Sequence, residues 1–220
     1  MNTDVSAALA RLNAILPLQS GLESLSDDDA SLYCKLLNSY AVSGRTQTRD
    51  EIAGLVNDTD QALNNIVASK LIVLDDAGNP AGAYPFTSEE REHKVHINGV
   101  IAHCMCALDA LSVSSMFNVP TVIDSQCRVT SEAIHLEQSG TSFSKGTLDA
   151  WFGINWGAAK NDTVCAASLC MEMMFLTNET VAHEWLAESP ETREIFDLPS
   201  AVDFAAGFFV PLAENCRQVA

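Results

Sequence analysis

The chain has 220 residues, 47% of them hydrophobic and 19% charged, a composition that excludes a disordered or low-complexity protein. The longest apolar run, Val164 to Leu176, is interrupted by Glu172 and falls short of the roughly 20 residues that a membrane helix needs. Neither a basic nor an apolar leader segment precedes the first predicted helix, so we expect a cytoplasmic protein without a membrane partner.

Acidic residues outnumber basic residues by 29 to 12, for a net charge of -17. The excess is present on both sides of Val95, with 14 acidic and 7 basic residues before it and 15 and 5 from it onward. Because phosphate backbones and anionic lipids attract positive charge, we expect the chain to bind neither nucleic acid nor membranes.

The seven cysteines are Cys34, Cys104, Cys106, Cys127, Cys165, Cys170 and Cys216. Their number is odd and the chain is long, so we expect reduced thiols rather than a disulfide framework. A free cysteine is most often a small buried hydrophobic residue, and this interpretation applies to each of them considered alone.

The first part of the chain is predicted to be helical. Residues 1–28 form an arm with one helix, Val5 to Ile15, that stops at Pro17. The elements that follow are a helix from Asp27–Asp29 to about Tyr40, a helix opened by the Thr48–Glu51 capping box, a helix from Thr59 to Ser69, a strand from Leu71 to Leu74 and a return strand from Ala83 to Phe86. Three short helices and a hairpin make residues 29–88 a winged-helix-like unit.

That unit is not expected to bind DNA. The helix in the recognition position carries Asp60 and ends with Lys70, and it has no arginine to contact bases in a major groove. We therefore expect residues 29–88 to have a structural role.

A charged segment, Glu89 to Lys94, marks the boundary between this unit and a second domain of residues 89–220. Predicted strands in the second domain run from Val95 to Ile101, Pro120 to Val129, Ala133 to Glu137, Leu148 to Trp156 and Val164 to Phe175. Predicted helices run from Cys106 to about Met116, from Asn178 to Leu186 and from Pro199 to about Cys216. The sequence therefore predicts an α+β fold, with a helical unit followed by a mixed sheet with flanking helices.

The densest group of reactive side chains lies where a predicted strand gives way to a helix. Cys106 opens that helix and Asp109 follows three residues later, so the two side chains share a helix face. A helix N-terminus favours the thiolate over the thiol, so we expect Cys106 to be unusually nucleophilic. Asp109 would then accept or return a proton, and the pair predicts a nucleophile with an acid/base partner.

Two other interpretations fit the same residues. Asp109 can cap the helix while Cys106 packs inside the protein. A zinc site can instead form from His103, Cys104 and Cys106 with Cys127, although Cys-x-Cys is tighter than zinc-knuckle spacing and no second ligand pair follows. The sequence contains no glycine-rich phosphate loop, Gly-x-Ser-x-Gly elbow or His-Glu-x-x-His helix.

The Cys-Ala-Leu-Asp segment at 106–109 resembles the helix start of the organomercurial (alkylmercury) lyases. Cys127 lies where that family has a structural cysteine, and Cys170 lies where it has its second catalytic cysteine. Residues 129–137 and the Glu-Trp pair at 184–185 are also similar to family segments. The likeness extends from about residue 31 to residue 185, and the family also has a winged-helix-like N-terminal unit without DNA-binding function.

The resemblance implies protonolysis of a carbon–mercury bond to a hydrocarbon and Hg(II), as part of mercury detoxification and resistance. Cys106 would be the first thiolate on mercury and Cys170 the second, since thiolates are the best protein ligands of a soft ion. Asp109 would accept a thiol proton and deliver it to the leaving carbon. The Hg(II) product would stay with Cys106, Cys170 and Asp109 until cellular thiols or a mercuric reductase remove it, and no organic cofactor is implied.

Several residues depart from the family pattern. Met105 stands where the family commonly has tryptophan, and Met171 replaces a cysteine that some members carry directly after the second catalytic one. Cys104 adds a nearby thiol, while Cys165 either compensates for Met171 or simply packs. The methionine cluster that begins at Met171 is expected to fill the core. These differences leave open a different organic group or another organometal as substrate.

Two functions without catalysis remain as alternatives. A binding protein would hold a soft metal on Cys106, Cys127 and Cys170 without turnover, and a winged-helix sensor would respond to thiols or metals. Asp109 favours the enzyme over the metal trap, because a trap needs no proton donor. The scarcity of basic residues disfavours a transcriptional regulator.

Overall fold

The structure is a computed structural model that describes residues 4–160 and 163–219. Its helices are α1 (Val5–Ile15), α2 (Leu18–Glu23), α3 (Asp27–Ser43), α4 (Arg49–Ala53), α5 (Thr59–Ala68), α6 (Ala107–Phe117), α7 (Glu179–Ala187) and α8 (Leu198–Val219). Its strands are β1 (Ile72–Leu74), β2 (Pro80–Ala83), β3 (Phe86–Thr87), β4 (Lys94–Ile97), β5 (Val100–Cys104), β6 (Thr121–Gln126), β7 (Ala133–Ser139), β8 (Ser142–Gly146), β9 (Trp151–Asn155), β10 (Met173–Leu176) and β11 (Arg193–Asp197). This combination confirms the predicted α+β class.

The N-terminal helices begin and end where local side chains satisfy the backbone. The Ser26 hydroxyl accepts the Asp29 amide at the start of α3, and Gly44 ends that helix in the left-handed conformation at a φ of 72°. At α4, the Thr48 and Glu51 side chains each accept the other's backbone amide, which confirms the predicted capping box. Helix α2 forms where the sequence predicted only an arm.

Eight strands form one antiparallel sheet in the order β1-β2-β3-β5-β4-β6-β7-β8. The return strand β2 covers Pro80–Ala83 rather than the predicted Ala83–Phe86, because the chain turns at Tyr84 and Pro85 before β3. Since Phe86 of β3 pairs with Cys104 of β5, the sheet continues past the Glu89–Lys94 segment. Within the described ranges every strand pairing is antiparallel, whereas the sequence predicted a mixed sheet.

The segment predicted as one strand from Val95 to Ile101 is a hairpin. Asn98 and Gly99 adopt positive φ values of 51° and 83° and turn the chain between β4 and β5. Asparagine and glycine tolerate this conformation better than other residues, so Asn-Gly is a hairpin signal that the strand prediction overlooked. The turn allows β5 to continue to Cys104, immediately before the N-terminus of α6.

The apolar run from Val164 to Phe175, predicted as a strand, folds mostly into two 3-10 turns, Cys165–Ala167 and Leu169–Glu172. Only its end forms β10, which lies beside β9 in a second sheet of order β10-β9-β11. The prediction was wrong because a short apolar run indicates burial and does not distinguish a strand from a buried turn. The sequence analysis also did not predict β8 and β11, which are edge strands of the two sheets.

The main core lies where the central helices meet the large sheet. Helix α6 is buried on nearly every side and packs mainly on α8, while α8 also packs on α1 and α3. A smaller cluster lies between the second sheet and α7, and its buried members are Cys127, Met174, Leu176, Ala182, Trp185 and Ile195. In the part of the chain that the structure describes, no helix is both long and apolar enough to cross a membrane.

Cys34 and Cys216 are joined by a disulfide between α3 and α8, across 182 residues of chain. The expectation that all seven cysteines are reduced was therefore wrong for this pair. The sequence did not predict this disulfide, because the two helices are far apart in the chain and approach each other only in the folded core. The remaining five cysteines are free and buried.

Candidate active site

Cys106 occupies the N-cap position of α6, and only Met105 separates it from the end of β5. Its backbone is extended, with φ of -154° and ψ of 178°, and its sulfur accepts the Asp109 amide at 3.5 Å. The sulfur thus has the position that a serine or aspartate oxygen has at most helix starts. Cys106, rather than Asp109, caps the helix, and the Asp109 side chain is left available for other contacts.

Cys170 lies on the second 3-10 turn, far from Cys106 in the sequence. The sulfurs of Cys106 and Cys170 and a carboxylate oxygen of Asp109 all lie within 4.8 Å of one another. All three residues are almost fully buried, with exposed fractions of 1%, 2% and 2% for Cys106, Cys170 and Asp109. Among the described residues this is the one group of three side chains that could hold a metal ion.

Burial determines the protonation of Cys106. It raises the pKa of this thiol to about 11, and the negative charge of Asp109 adds to the rise, while hydrogen bonds from Cys170 and the Asp109 amide lower it. The helix N-terminus was expected to give a thiolate, and that expectation was wrong, because loss of solvation outweighs the helix amide. In the free protein Cys106 is a thiol.

Asp109 is a carboxyl group that holds its proton near neutral pH. Burial raises its pKa from 3.8 to about 7, although a hydrogen bond from Cys106 and the positive charge of Arg91 lower it. One of its oxygens, Oδ2, is buried and has no hydrogen-bond partner among the residues that the structure describes. A half-protonated carboxyl group with a free oxygen is suited to receive and return a proton.

Cys170 is held as a thiol by its two neighbours. Its hydrogen bonds to Cys106 and Cys165, followed by burial, raise its pKa well above that of a free cysteine. The Cys165 sulfur lies 3.6 Å from the Cys170 sulfur. Three thiols therefore lie in contact in the order Cys165, Cys170, Cys106, and the last of them lies beside Asp109.

Arg91 bridges the backbone beside Cys106 and the backbone beside Cys165, a role that the sequence analysis did not predict. Its guanidinium donates to the carbonyl of Met105 at 3.0 Å and to that of Ala166 at 3.2 Å, next to Cys106 and Cys165 respectively. A second pair of bonds to Glu89 orients the same group. Its position in the charged segment 89–94 indicated a boundary and offered no signal of this contact.

A cavity of about 410 Å³ opens beside the thiols, between α1, β1 and the first 3-10 turn. Its lining includes Ile15, Leu16, Tyr84, Cys165 and Ser168. A larger concavity of about 760 Å³ lies between the N-terminal parts of α3 and α5, and its lining contains none of the thiols. Of these two, the first cavity is therefore the one whose lining reaches the contacting thiols, through Cys165.

The residues proposed for a zinc site do not come together. His103 contacts the backbone of Arg91 through Nδ1, and neither His103 nor Cys104 belongs to the group formed by Cys106. Cys127 is fully buried in the smaller cluster beside α7, where it packs against apolar side chains.

The methionines near the site differ in their surroundings. Met173 is buried, and its sulfur accepts a hydrogen bond from the Cys106 thiol at 3.5 Å. Met174 packs in the smaller core cluster, as expected for a core-filling residue. Met171 is 42% exposed and does not belong to the core.

Comparison with known proteins identifies the family. The sequence model of the alkylmercury lyases matches residues 86–210, more than half of the chain. A crystal structure of the mercury-bound form of MerB2 superposes with a TM-score of 0.69 at 19% identity, over 89% of this chain and 98% of that chain, which shows a shared fold. No curated protein sequence matches the chain. With its matched segment spanning the strand before α6 and both thiol-bearing turns, this chain belongs to the alkylmercury lyase family.

Proposed function

We propose that this protein is an organomercurial lyase that cleaves a carbon–mercury bond by protonolysis and releases a hydrocarbon and Hg(II). The observation that carries the proposal is the buried group of two thiols and one carboxyl group within 4.8 Å of one another. Family membership supports the same class of reaction.

The chemistry requires two thiolates and a proton. Hg(II) is a soft ion with a high affinity for thiolate sulfur, and one thiolate gives a two-coordinate species whose carbon is still a poor leaving group. A second thiolate raises the coordination of mercury and moves electron density onto carbon. Because a free carbanion is too unstable to leave, a proton must reach the carbon as the bond breaks. Cys106, Cys170 and Asp109 supply this set.

The pKa values indicate when the protons move. With its pKa at about 11, the Cys106 thiol does not ionise in the free protein at neutral pH. A coordinated metal ion deprotonates a thiol outright, so mercury binding itself would release the Cys106 proton. Asp109, with a pKa of about 7, would accept that proton and deliver it to carbon. In sum, R–Hg bound to the sulfur of one of the two cysteines and the thiol of the other give S–Hg–S and R–H.

The product would be Hg(II) on Cys106 and Cys170 with Asp109 beside it. We propose that cellular thiols, or a mercuric reductase, remove the ion, and that the reaction needs no organic cofactor. The setting of this activity would be detoxification of organomercurials in the cytoplasm.

The test is gas chromatography of the headspace after the purified protein is mixed with methylmercury and excess thiol. We expect catalytic methane from the wild-type protein and none from Cys106→Ser or Cys170→Ser. Asp109→Asn should bind mercury and lose the proton step. Stoichiometric mercury binding without methane would contradict the proposal and favour a soft-metal trap, and full turnover by Asp109→Asn would contradict the role of that residue.

A further inference from the structure

Cys165 lies between the cavity and the proposed cleavage site. Of the described residues that line the 410 Å³ cavity, it is the sole cysteine, and it is 9% exposed. Cys170 and Cys106 are deeper, with exposed fractions of 2% and 1%, and neither lines the cavity. A molecule in the cavity therefore meets the Cys165 sulfur before it meets the other two.

The contact between sulfurs continues inward from that position. The Cys165 and Cys170 sulfurs are 3.6 Å apart, close enough for a metal ion on one to bind the other without leaving the site. Cys170 is in turn within 4.8 Å of the Cys106 sulfur and of Asp109.

The backbone next to Cys165 is held from both sides. The amide of Ala166 donates to the Tyr84 hydroxyl at 2.9 Å, and its carbonyl accepts from Arg91 at 3.2 Å. Tyr84 also lines the cavity, so the same contact fixes the cavity wall and the position of Cys165. The buried Tyr84 and the half-buried Arg91 therefore fix the backbone beside Cys165 from two directions, which holds its thiol in place.

We propose that Cys165 is a capture thiol that takes the organomercury group in the cavity and passes it to Cys170; this inference rests on the proposed lyase function. In the first exchange, the Cys165 thiol displaces the small thiol that carries the substrate, so that R–Hg–S(Cys165) forms and the small thiol leaves with the proton. In the second, the Cys170 sulfur replaces the Cys165 sulfur on mercury, and the proton moves from Cys170 to Cys165. No oxidant or reductant is needed, because each step exchanges one sulfur ligand for another.

This route also determines the order in which the inner thiols bind mercury. The substrate reaches Cys170 first, and Cys106 then adds as the second thiolate and gives its proton to Asp109. The order is the reverse of the one implied by the sequence resemblance, in which Cys106 binds first.

The experiment is stopped-flow ultraviolet absorbance of mercury–thiolate bond formation with phenylmercury, carried as its complex with a small thiol. We expect the second-order rate constant for capture to fall at least tenfold in Cys165→Ser and in Cys165→Ala. Cys127→Ser is the matched control, since it also removes one buried cysteine but lies in the smaller cluster, and its rate constant should stay within about twofold of wild type. Circular dichroism shows which variants are folded.

A second measurement separates capture from cleavage. After each protein is loaded to one equivalent, single-turnover benzene release should differ by less than about threefold between wild type and the Cys165 variants. A wild-type capture rate in folded Cys165 variants would overturn the proposal. Complete loss of single-turnover release in them would also overturn it, because Cys165 would then be a cleaving thiolate. Capture that depends on Cys165 with no benzene from wild type would contradict the lyase function alone.

Discussion

Replacing Asp109 with asparagine should make the protein more stable at pH 8 while it removes the proposed proton donor. Asp109 has a pKa of about 7 in the folded protein against 3.8 for the free side chain, because burial disfavours its charged form. The folded state therefore keeps a proton that the unfolded state has released, and stability from this group falls as the pH rises from 3.8 through 7. The asparagine variant has no such titration.

The magnitude follows from the two pKa values. One pKa unit corresponds to about 1.36 kcal/mol. The raised pKa of Asp109 therefore lowers the free energy of unfolding by roughly 1.7 kcal/mol at pH 5 and by roughly 4.3 kcal/mol at pH 8. Since Oδ2 of Asp109 has no hydrogen-bond partner among the described residues, an asparagine amide in its place leaves a buried polar group unpaired, which costs about 1–3 kcal/mol at either pH. The difference in unfolding free energy between the variant and wild type should thus change by roughly 2.6 kcal/mol between pH 5 and pH 8, in favour of the variant.

The assay is urea unfolding of both proteins at the two pH values, followed by circular dichroism. All other titrating groups are common to the two proteins, so the comparison isolates Asp109. Infrared absorption of a protonated buried carboxyl group, present in wild type at pH 5 and absent in the variant, checks the assignment. Parallel stability curves for the two proteins would refute the argument that burial keeps Asp109 protonated.

Three further predictions concern residues outside the thiol group. Cys127→Ser should lower the free energy of unfolding by about 1–2 kcal/mol and leave turnover per folded molecule unchanged, and an equal loss of activity in a folded variant would contradict its packing role. The double variant Cys34→Ala/Cys216→Ala should have a free energy of unfolding about 2–5 kcal/mol below that of wild type, because the disulfide closes a loop of 182 residues. A reductant should lower the Tm of wild type and leave that of the variant unchanged. Arg91→Lys should lower kcat/KM at least tenfold while mercury binding stays stoichiometric. The reason is that a lysine ammonium cannot bridge the carbonyls of Met105 and Ala166 as the guanidinium does. A wild-type kcat/KM in this variant would show that the bridge is dispensable.

The sequence by itself determined the features that depend on neighbouring residues. The capping box at Thr48 and Glu51 follows from local hydrogen bonding and was predicted from the sequence. The pairing of Cys106 with Asp109 also follows from their spacing on one helix turn. Family resemblance added Cys170, which no local pattern connects to the other two.

The tertiary structure alone decided what depends on burial and on contacts between distant segments. The helix start predicted a Cys106 thiolate, but desolvation in the core raises the pKa of that thiol and keeps it neutral. The run around Cys170 was predicted to be a strand and is a 3-10 turn. The prediction failed because apolar residues indicate burial but do not specify the backbone geometry. The Cys34–Cys216 disulfide and the bridge made by Arg91 join segments far apart in the chain, where spacing in sequence contains no information about distance in space.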